Sequence, residues 1–123
     1  METIHVEKNP DVEQAVPTEW RATLKAIADA FVEGRKPAGQ GIGDVDMQTL
    51  EICQKSFTDY PDSFGELSAE SWKTSVYLWM DGYWQVLVDL SNSDGETSDL
   101  VLHVQVFPDG EGYLFRPGLV YVP

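Results

Sequence analysis

The residues of this chain best suited to acid–base chemistry are His103 and Asp89. If the segments that carry them form neighbouring antiparallel strands, the two side chains share a face and could touch. A carboxylate that orients an imidazole is a common way to build a general base. The sequence places no serine or cysteine nucleophile beside them, so we interpret both as polar residues of a surface and predict no catalytic residue.

A polar loop at residues 91–98 offers hard oxygen ligands for a metal ion. Its acidic residues are Asp94 and Glu96, with Asp89 and Asp99 on either side. A calcium loop needs Asp at alternate positions and Gly at the sixth, whereas here the Gly is seventh when counted from Asp89. We therefore predict a solvated loop, no metal site and no cofactor.

Two further motifs invite a functional interpretation that their context does not favour. Gly39, Gly41 and Gly43 resemble a phosphate-binding loop, but no strand precedes them and no Lys-Ser/Thr pair follows. Cys53 is the single cysteine and lies within an apolar helical stripe, which is typical of a buried residue. One cysteine cannot form an intrachain disulfide, so we expect a reducing compartment, the cytoplasm.

The most informative structural signal is Asp81-Gly82, which lies between two apolar runs and predicts a two-residue hairpin turn. This turn pairs Leu78 with Gln85, and Trp79 with Trp84. A third strand follows the polar loop. A fourth runs from about Tyr113 to Val122, interrupted at Pro117-Gly118.

The preceding half of the chain predicts two helices on the 3.6-residue spacing of their apolar residues. The first runs from Pro17 to Glu33 and ends at Gly34 as a left-handed cap. The second runs from about Asp46 to Tyr60, with Asp44 or Asp46 as its N-cap and an apolar stripe of Met47, Leu50, Cys53, Phe57 and Tyr60. Residues 1–14 are polar and are interpreted as a mobile arm with one short edge strand at Ile4–Val6. The predicted fold is a single α+β domain over residues 1–123, with two N-terminal helices on an antiparallel meander of about four strands.

The predicted sheet has two apolar faces, which is unusual for an antiparallel sheet with one face in water. The first face carries the alternating residues from Trp84 to Leu90 and should pack against the helices. The second face is covered by a helix or is an interaction surface, and we favour the second alternative slightly. Its members are Val76, Leu78, Met80, Tyr83, Leu87, Val101, Phe107, Tyr113 and Phe115, with Gln85, Asp89, His103 and Gln105 among them.

The formal charge is −13, from 21 acidic and 8 basic residues. Such a surface repels nucleic-acid phosphates and anionic lipid, and it attracts basic partners. It also simply favours solubility. No apolar run is long enough to span a bilayer, and the N-terminus lacks the pattern of a secretory signal. We therefore expect neither a nucleic-acid nor a membrane partner.

From Trp84 to Leu102 the sequence resembles a family of small bacterial domains of unknown function. The resemblance lies in Trp-x3-Val-Asp-Leu at residues 84–90, in Gly95, and in Ser-Asp-Leu-x-Leu at residues 98–102. The loop departs from the family pattern, since Asp94-Gly95-Glu96 replaces the usual Glu-Gly. The resemblance implies a bacterial origin and an α+β fold, but no activity and no site residues.

Three classes of function follow from these features. The first is a protein-binding module, most concretely an immunity-type inhibitor of a basic toxin. The second is a small-ligand binder or weak enzyme, with a pocket near Trp72, Trp79, Asp89 and His103. The third is a homodimer that buries the second face. The predicted binding residues are Tyr83, Asp89, Asp94, Glu96, Asp99, His103, Phe107 and Tyr113.

Overall fold

The computed structural model describes residues 3–123 and has an α+β fold built on one antiparallel sheet. Its five strands follow one another across the sheet in chain order, one more than the four or so that the sequence predicts. Helical structure is also not confined to the N-terminal part, because a 3₁₀ helix directly precedes β2. The elements are β1 Gln14–Ala15, a 3₁₀ helix Thr18–Trp20, α1 Arg21–Val32, α2 Met47–Asp59, a 3₁₀ helix Ala69–Lys73, β2 Val76–Trp79, β3 Trp84–Ser91, β4 Thr97–Asp109 and β5 Gly112–Tyr121.

The hairpin between β2 and β3 has the predicted turn and register. Asp81 and Gly82 both have positive φ, 59° and 124°, as a type I′ turn requires. The Met80 N–H donates to the Tyr83 carbonyl at 2.7 Å, and Trp79 lies opposite Trp84. The local choice of Asp-Gly therefore sets which side chains of these strands share a face.

Helix α1 ends at the glycine that the sequence indicates. Gly34 has φ 77°, and its N–H donates to the Phe31 carbonyl. The Arg35 N–H donates to the Ala30 carbonyl, which completes the paired hydrogen bonds of a Schellman motif. Glycine is favoured here because other residues adopt this left-handed conformation at a cost.

Helix α2 begins at Asp46, whose carboxylate accepts the Thr49 N–H at 2.7 Å. This hydrogen bond favours the charged carboxylate and lowers the pKa of Asp46. Leu50 and Cys53 face the core, but Met47 is 56% exposed, so the predicted apolar stripe is wrong at its first residue. Met47 is the first residue of α2.

The core lies between the two helices and the first face of the sheet, and Trp20 is at its centre. The Trp20 ring centroid is 5.2–5.3 Å from those of Tyr77, Trp84 and Tyr113, all in edge-on arrangements. Trp20 is 1% exposed, and its indole N–H has no hydrogen-bond partner within residues 3–123. Such edge-on packing of several large rings fixes the position of α1 on the sheet.

Part of the predicted N-terminal arm lies against the first face, where Val6 packs on the core, whereas residues 10–12 form bends and Gln14 begins β1; Met1 and Glu2 are outside the described residues. The edge strand expected at Ile4–Val6 is wrong, and the strand at this edge is instead Gln14–Ala15, which pairs with β2. The backbone of residues 4–7 instead bonds to the main chain and hydroxyl of Thr18 and to the side chains of Tyr77 and Trp84. The mobility of the arm stays a prediction.

Candidate functional site

The second face of the sheet is open. Both helices and the arm pack on the first face, and no helix within residues 3–123 packs on the second. Most of its apolar side chains are half-buried by their neighbours in the sheet and remain in contact with solvent. This open face carries Val76, Leu78, Tyr83, Leu87, Val101, Phe107 and Leu114, with Gln85, Asp89, His103, Gln105 and Arg116 among them.

Tyr113 and Phe115 do not belong to the second face, so the prediction that placed them there is wrong. Asp109 pairs with Gly112 across a two-residue turn, which puts Tyr113 opposite Pro108. Tyr113 therefore shares the core face, 5.3 Å from the Trp20 ring and 5.8 Å from the Trp84 ring. The sequence offers several possible turn lengths around Gly110, and a shift of one residue exchanges the faces.

One end of the open face is aromatic. The Tyr83 and Phe107 rings lie 5.4 Å apart with 30° between their planes. Leu114 lies opposite Phe107 on β5, and the Arg116 guanidinium is 5.8 Å from the Phe107 ring. Rings held in this way bring a large apolar contact area at little cost in side-chain entropy. The structure thus brings Tyr83 and Phe107, two of the predicted binding residues, together on the open face, and their role in binding stays a prediction.

A row of polar side chains crosses the middle of the same face. Gln85 lies opposite Gln105, and Gln105 lies opposite Arg116. Neither amide takes part in a side-chain hydrogen bond within the described part of the chain. These half-buried donors and acceptors are available to a ligand, and they would have to be satisfied if the face were covered.

His103 and Asp89 share the open face on diagonal positions, one of the two arrangements that the sequence predicts. Leu87 lies opposite His103 and Val101 lies opposite Asp89. The Asp89 carboxylate accepts a hydrogen bond from the Thr74 hydroxyl, and no ion pair joins it to His103. Burial lowers the pKa of His103, so its neutral form is favoured. The two side chains are brought near each other without the hydrogen bond that a general base needs.

The polar groups of the loop at residues 91–98 form hydrogen bonds within the loop and to residues 62–68. The Asn92 side-chain oxygen accepts the N–H groups of Asp94 and Glu96 at 3.0 and 2.9 Å, and Gly95 has φ 82°. The side chains of Asp94, Glu96 and Asp99 point to solvent. Within residues 3–123, no three His, Cys, Asp or Glu side chains are grouped closely enough to hold a metal ion.

Acidic residues flank the open face at both ends of its strands. At one end lie the two turns after β2 and β4, with exposed Asp81, Asp109 and Glu111. At the other end lies the loop with Asp94 and Glu96. Residues 74–123 carry seven acidic side chains and one basic one, Arg116. The open face thus combines apolar and aromatic side chains with a polar row, and it lies between two acidic ends.

The pocket predicted near Trp72, Trp79, Asp89 and His103 is not formed, because the sheet separates its members. Trp79 packs on the first face, 4.7 Å from the Trp84 ring, whereas Asp89 and His103 lie on the second. Cavities of about 260–570 Å³ occur elsewhere. One of about 470 Å³ lies beside the arm, lined by Val6, Trp84 and Tyr113.

The fold and this surface define a small α+β domain with one covered and one open sheet face. The chain belongs to the family described as a domain of unknown function, DUF7668, whose model matches residues 28–123. Comparison with curated proteins and with solved structures gives no match. Among residues 3–123, every helix is too short or too polar to cross a membrane.

Proposed function

We propose that this chain is a protein-binding module that docks a basic protein on the second face, most concretely an immunity-type inhibitor of a basic toxin. The observation that carries the proposal is the open face, with its apolar and aromatic side chains, between two acidic ends. A bacterial origin, which the resemblance of residues 84–102 implies, belongs to the same proposal. The proposal also includes that the chain is not an enzyme.

The proposed partner has an apolar centre flanked by Lys or Arg side chains. Tyr83 and Phe107 would anchor that centre, because large aromatic side chains in the middle of an interface contribute most of the binding energy. The acidic ends would mainly accelerate the encounter and exclude acidic proteins. Gln85 and Gln105 would require a polar group opposite them, since a buried amide without a hydrogen bond weakens binding.

The edge strand β5 is a poor alternative docking position. The Ser56 hydroxyl donates to the Val120 carbonyl at 2.7 Å, and Gly43 and Gly41 exchange hydrogen bonds with Phe115. These contacts occupy much of the edge that an added strand would need. The face, and not the edge, is therefore the surface that the proposal uses.

The test is capture of partners by the purified full chain, compared with a Tyr83→Glu, Phe107→Glu variant. We expect a basic protein that the wild type retains and the variant loses. Ile52→Glu is the matched control, because Ile52 is an exposed apolar residue on α2, and it should retain the same protein. Binding is then measured with purified components, where rising salt should slow association.

Two results would contradict the proposal. One is capture of the same proteins by the wild type and by the face variant, which would place binding elsewhere. The other is a reproducible partner that is acidic, which the two acidic ends should exclude. If the captured protein is an enzyme, its activity is assayed with and without the chain, since an immunity-type inhibitor should abolish it.

A further inference from the structure

On the first face, side chains of the sheet hold the main chain of the N-terminal arm. The Tyr77 hydroxyl accepts the Glu7 N–H at 2.8 Å and donates to the His5 carbonyl at 3.3 Å. The Trp84 indole N–H donates to the Glu7 carbonyl at 2.9 Å. These bonds contact backbone groups, so they do not depend on which side chains the extended segment carries.

The side chains of the same segment alternate between half-buried and exposed positions. Ile4 and Val6 are half-buried, and Val6 packs against the core, whereas His5 and Glu7 are exposed. The Lys8 ammonium lies 5.0 Å from the centre of the Trp79 ring, within the range of a cation–π contact. The arm is thus held as a peptide with apolar residues at alternate positions and a cation two residues further on.

The groove that holds this segment is formed by Tyr77, Trp79, Trp84 and Tyr113, and it is larger than the segment that fills it. The cavity of about 470 Å³ beside Val6 and Lys8 is bounded by Trp84 and Tyr113 and by the turn after β4. Grooves lined by Trp and Tyr that bond to the main chain of an extended segment are a recurring mode of peptide recognition. Here the segment belongs to the same chain, which raises its effective concentration at the groove.

We infer that the groove formed by Tyr77, Trp79, Trp84 and Tyr113 is a binding site for extended peptides, occupied in cis by residues 4–8. Its ligand class is an extended segment of the pattern Ile-x-Val-x-Lys. The arm competes with any such ligand in trans and acts as the intramolecular occupant of the site. This inference is independent of the second face and of a basic partner.

The test uses a labelled peptide of residues 3–12, TIHVEKNPDV, and the full chain with Val6→Asp. This substitution weakens the arm in cis, so the variant should bind the peptide about 10- to 100-fold more tightly than the wild type does. A peptide with the same Val→Asp change is the matched control and should not bind. Adding Trp79→Ala to the variant should reduce its affinity for the peptide. A folded Val6→Asp chain that does not bind the peptide would overturn the inference.

A second measurement covers the case in which Val6→Asp does not fold. Amide hydrogen exchange is followed in the wild-type chain at Glu7 and at Val86 of the central strand β3. If the arm leaves the groove while the domain stays folded, the Glu7 amide exchanges at least about 100-fold faster than Val86. Equal protection at the two positions would mean that the arm opens only with the whole domain, and the inference would fail.

Discussion

Gly118 is the position in β5 where a side chain is least compatible with the fold. The register between β4 and β5 shifts between Leu102 and Val104, and Gly118 lies beside His103 at this bulge. A Cβ atom at Gly118 would be 2.8 Å from the His103 carbonyl oxygen and 3.2 Å from its Nδ1. Glycine is therefore needed here for close approach of two backbones.

Replacing Gly118 with alanine is expected to lower the free energy of unfolding by about 1–3 kcal/mol, because the backbone must shift to relieve the contact. Gly112→Ala, in the same strand, is the control: the nearest atom to a Cβ there, the Asp109 carbonyl oxygen, is 3.8 Å away. That control should change the free energy by less than about 0.5 kcal/mol. Urea unfolding of both variants measures the difference, and equal stability would show that the bulge adapts without cost.

Helix α2 contributes to the fold in a way that its sequence pattern does not reveal: it covers the edge of the sheet. Its Ser56 hydroxyl bonds to the Val120 carbonyl, and the Cys53 thiol lies 3.8 Å from the Gly118 carbonyl oxygen. Burial raises the pKa of the Cys53 thiol, which keeps it protonated. Pairing these carbonyl groups removes acceptors that could otherwise recruit a strand from another chain.

Ser56→Ala tests this role of the helix. The Val120 carbonyl would lose its partner, so the free energy of unfolding should fall by about 1 kcal/mol relative to Thr58→Ala. Thr58 is the control because, within residues 3–123, its hydroxyl bonds only to the Gln54 carbonyl of the same helix. Thermal or urea unfolding of the two variants provides the comparison. A Ser56→Ala chain as stable as Thr58→Ala would mean that water replaces the hydroxyl at the edge.

The net charge of −13 and the open second face have opposite effects on self-association. Burying the face against a second copy would remove apolar surface from water, which favours a dimer. The same contact would bring the acidic ends of two copies close together, which opposes it. Because these two effects oppose each other, measuring the oligomeric state separates a homodimer from a module for a basic partner.

We expect a monomer of 13.8 kDa by light scattering over a wide concentration range at neutral pH, for the wild type and for Tyr83→Glu alike. The like-charge repulsion behind this expectation fades as the pH approaches the isoelectric point of about 4.2, where the wild type should associate. A wild-type dimer at neutral pH that Tyr83→Glu dissociates would assign the face to self-association and remove the anchor surface of the proposed inhibitor.

Local signals in the sequence determined the parts of this fold that depend on neighbouring residues. The Asp81-Gly82 turn, the register of β2 on β3, the Gly34 end of α1 and the Asp46 start of α2 are all confirmed. Each depends on backbone conformations or hydrogen bonds within a few residues, so residue type and spacing are sufficient to predict it. Successive residues of a strand point to opposite faces of the sheet, so the sequence alone also shows that both faces carry apolar residues.

Other features of the fold depend on contacts between segments that are distant in the sequence, and only the tertiary structure determines them. Tyr113 lies on the core face, and not on the predicted second face, because the turn after β4 sets the register of β5. The tertiary structure placed both helices and the arm on the first face, and so left the second face open. It also separated Trp79 from Asp89 and His103 by the thickness of the sheet. Periodicity shows which residues share a face, but only packing determines what covers that face.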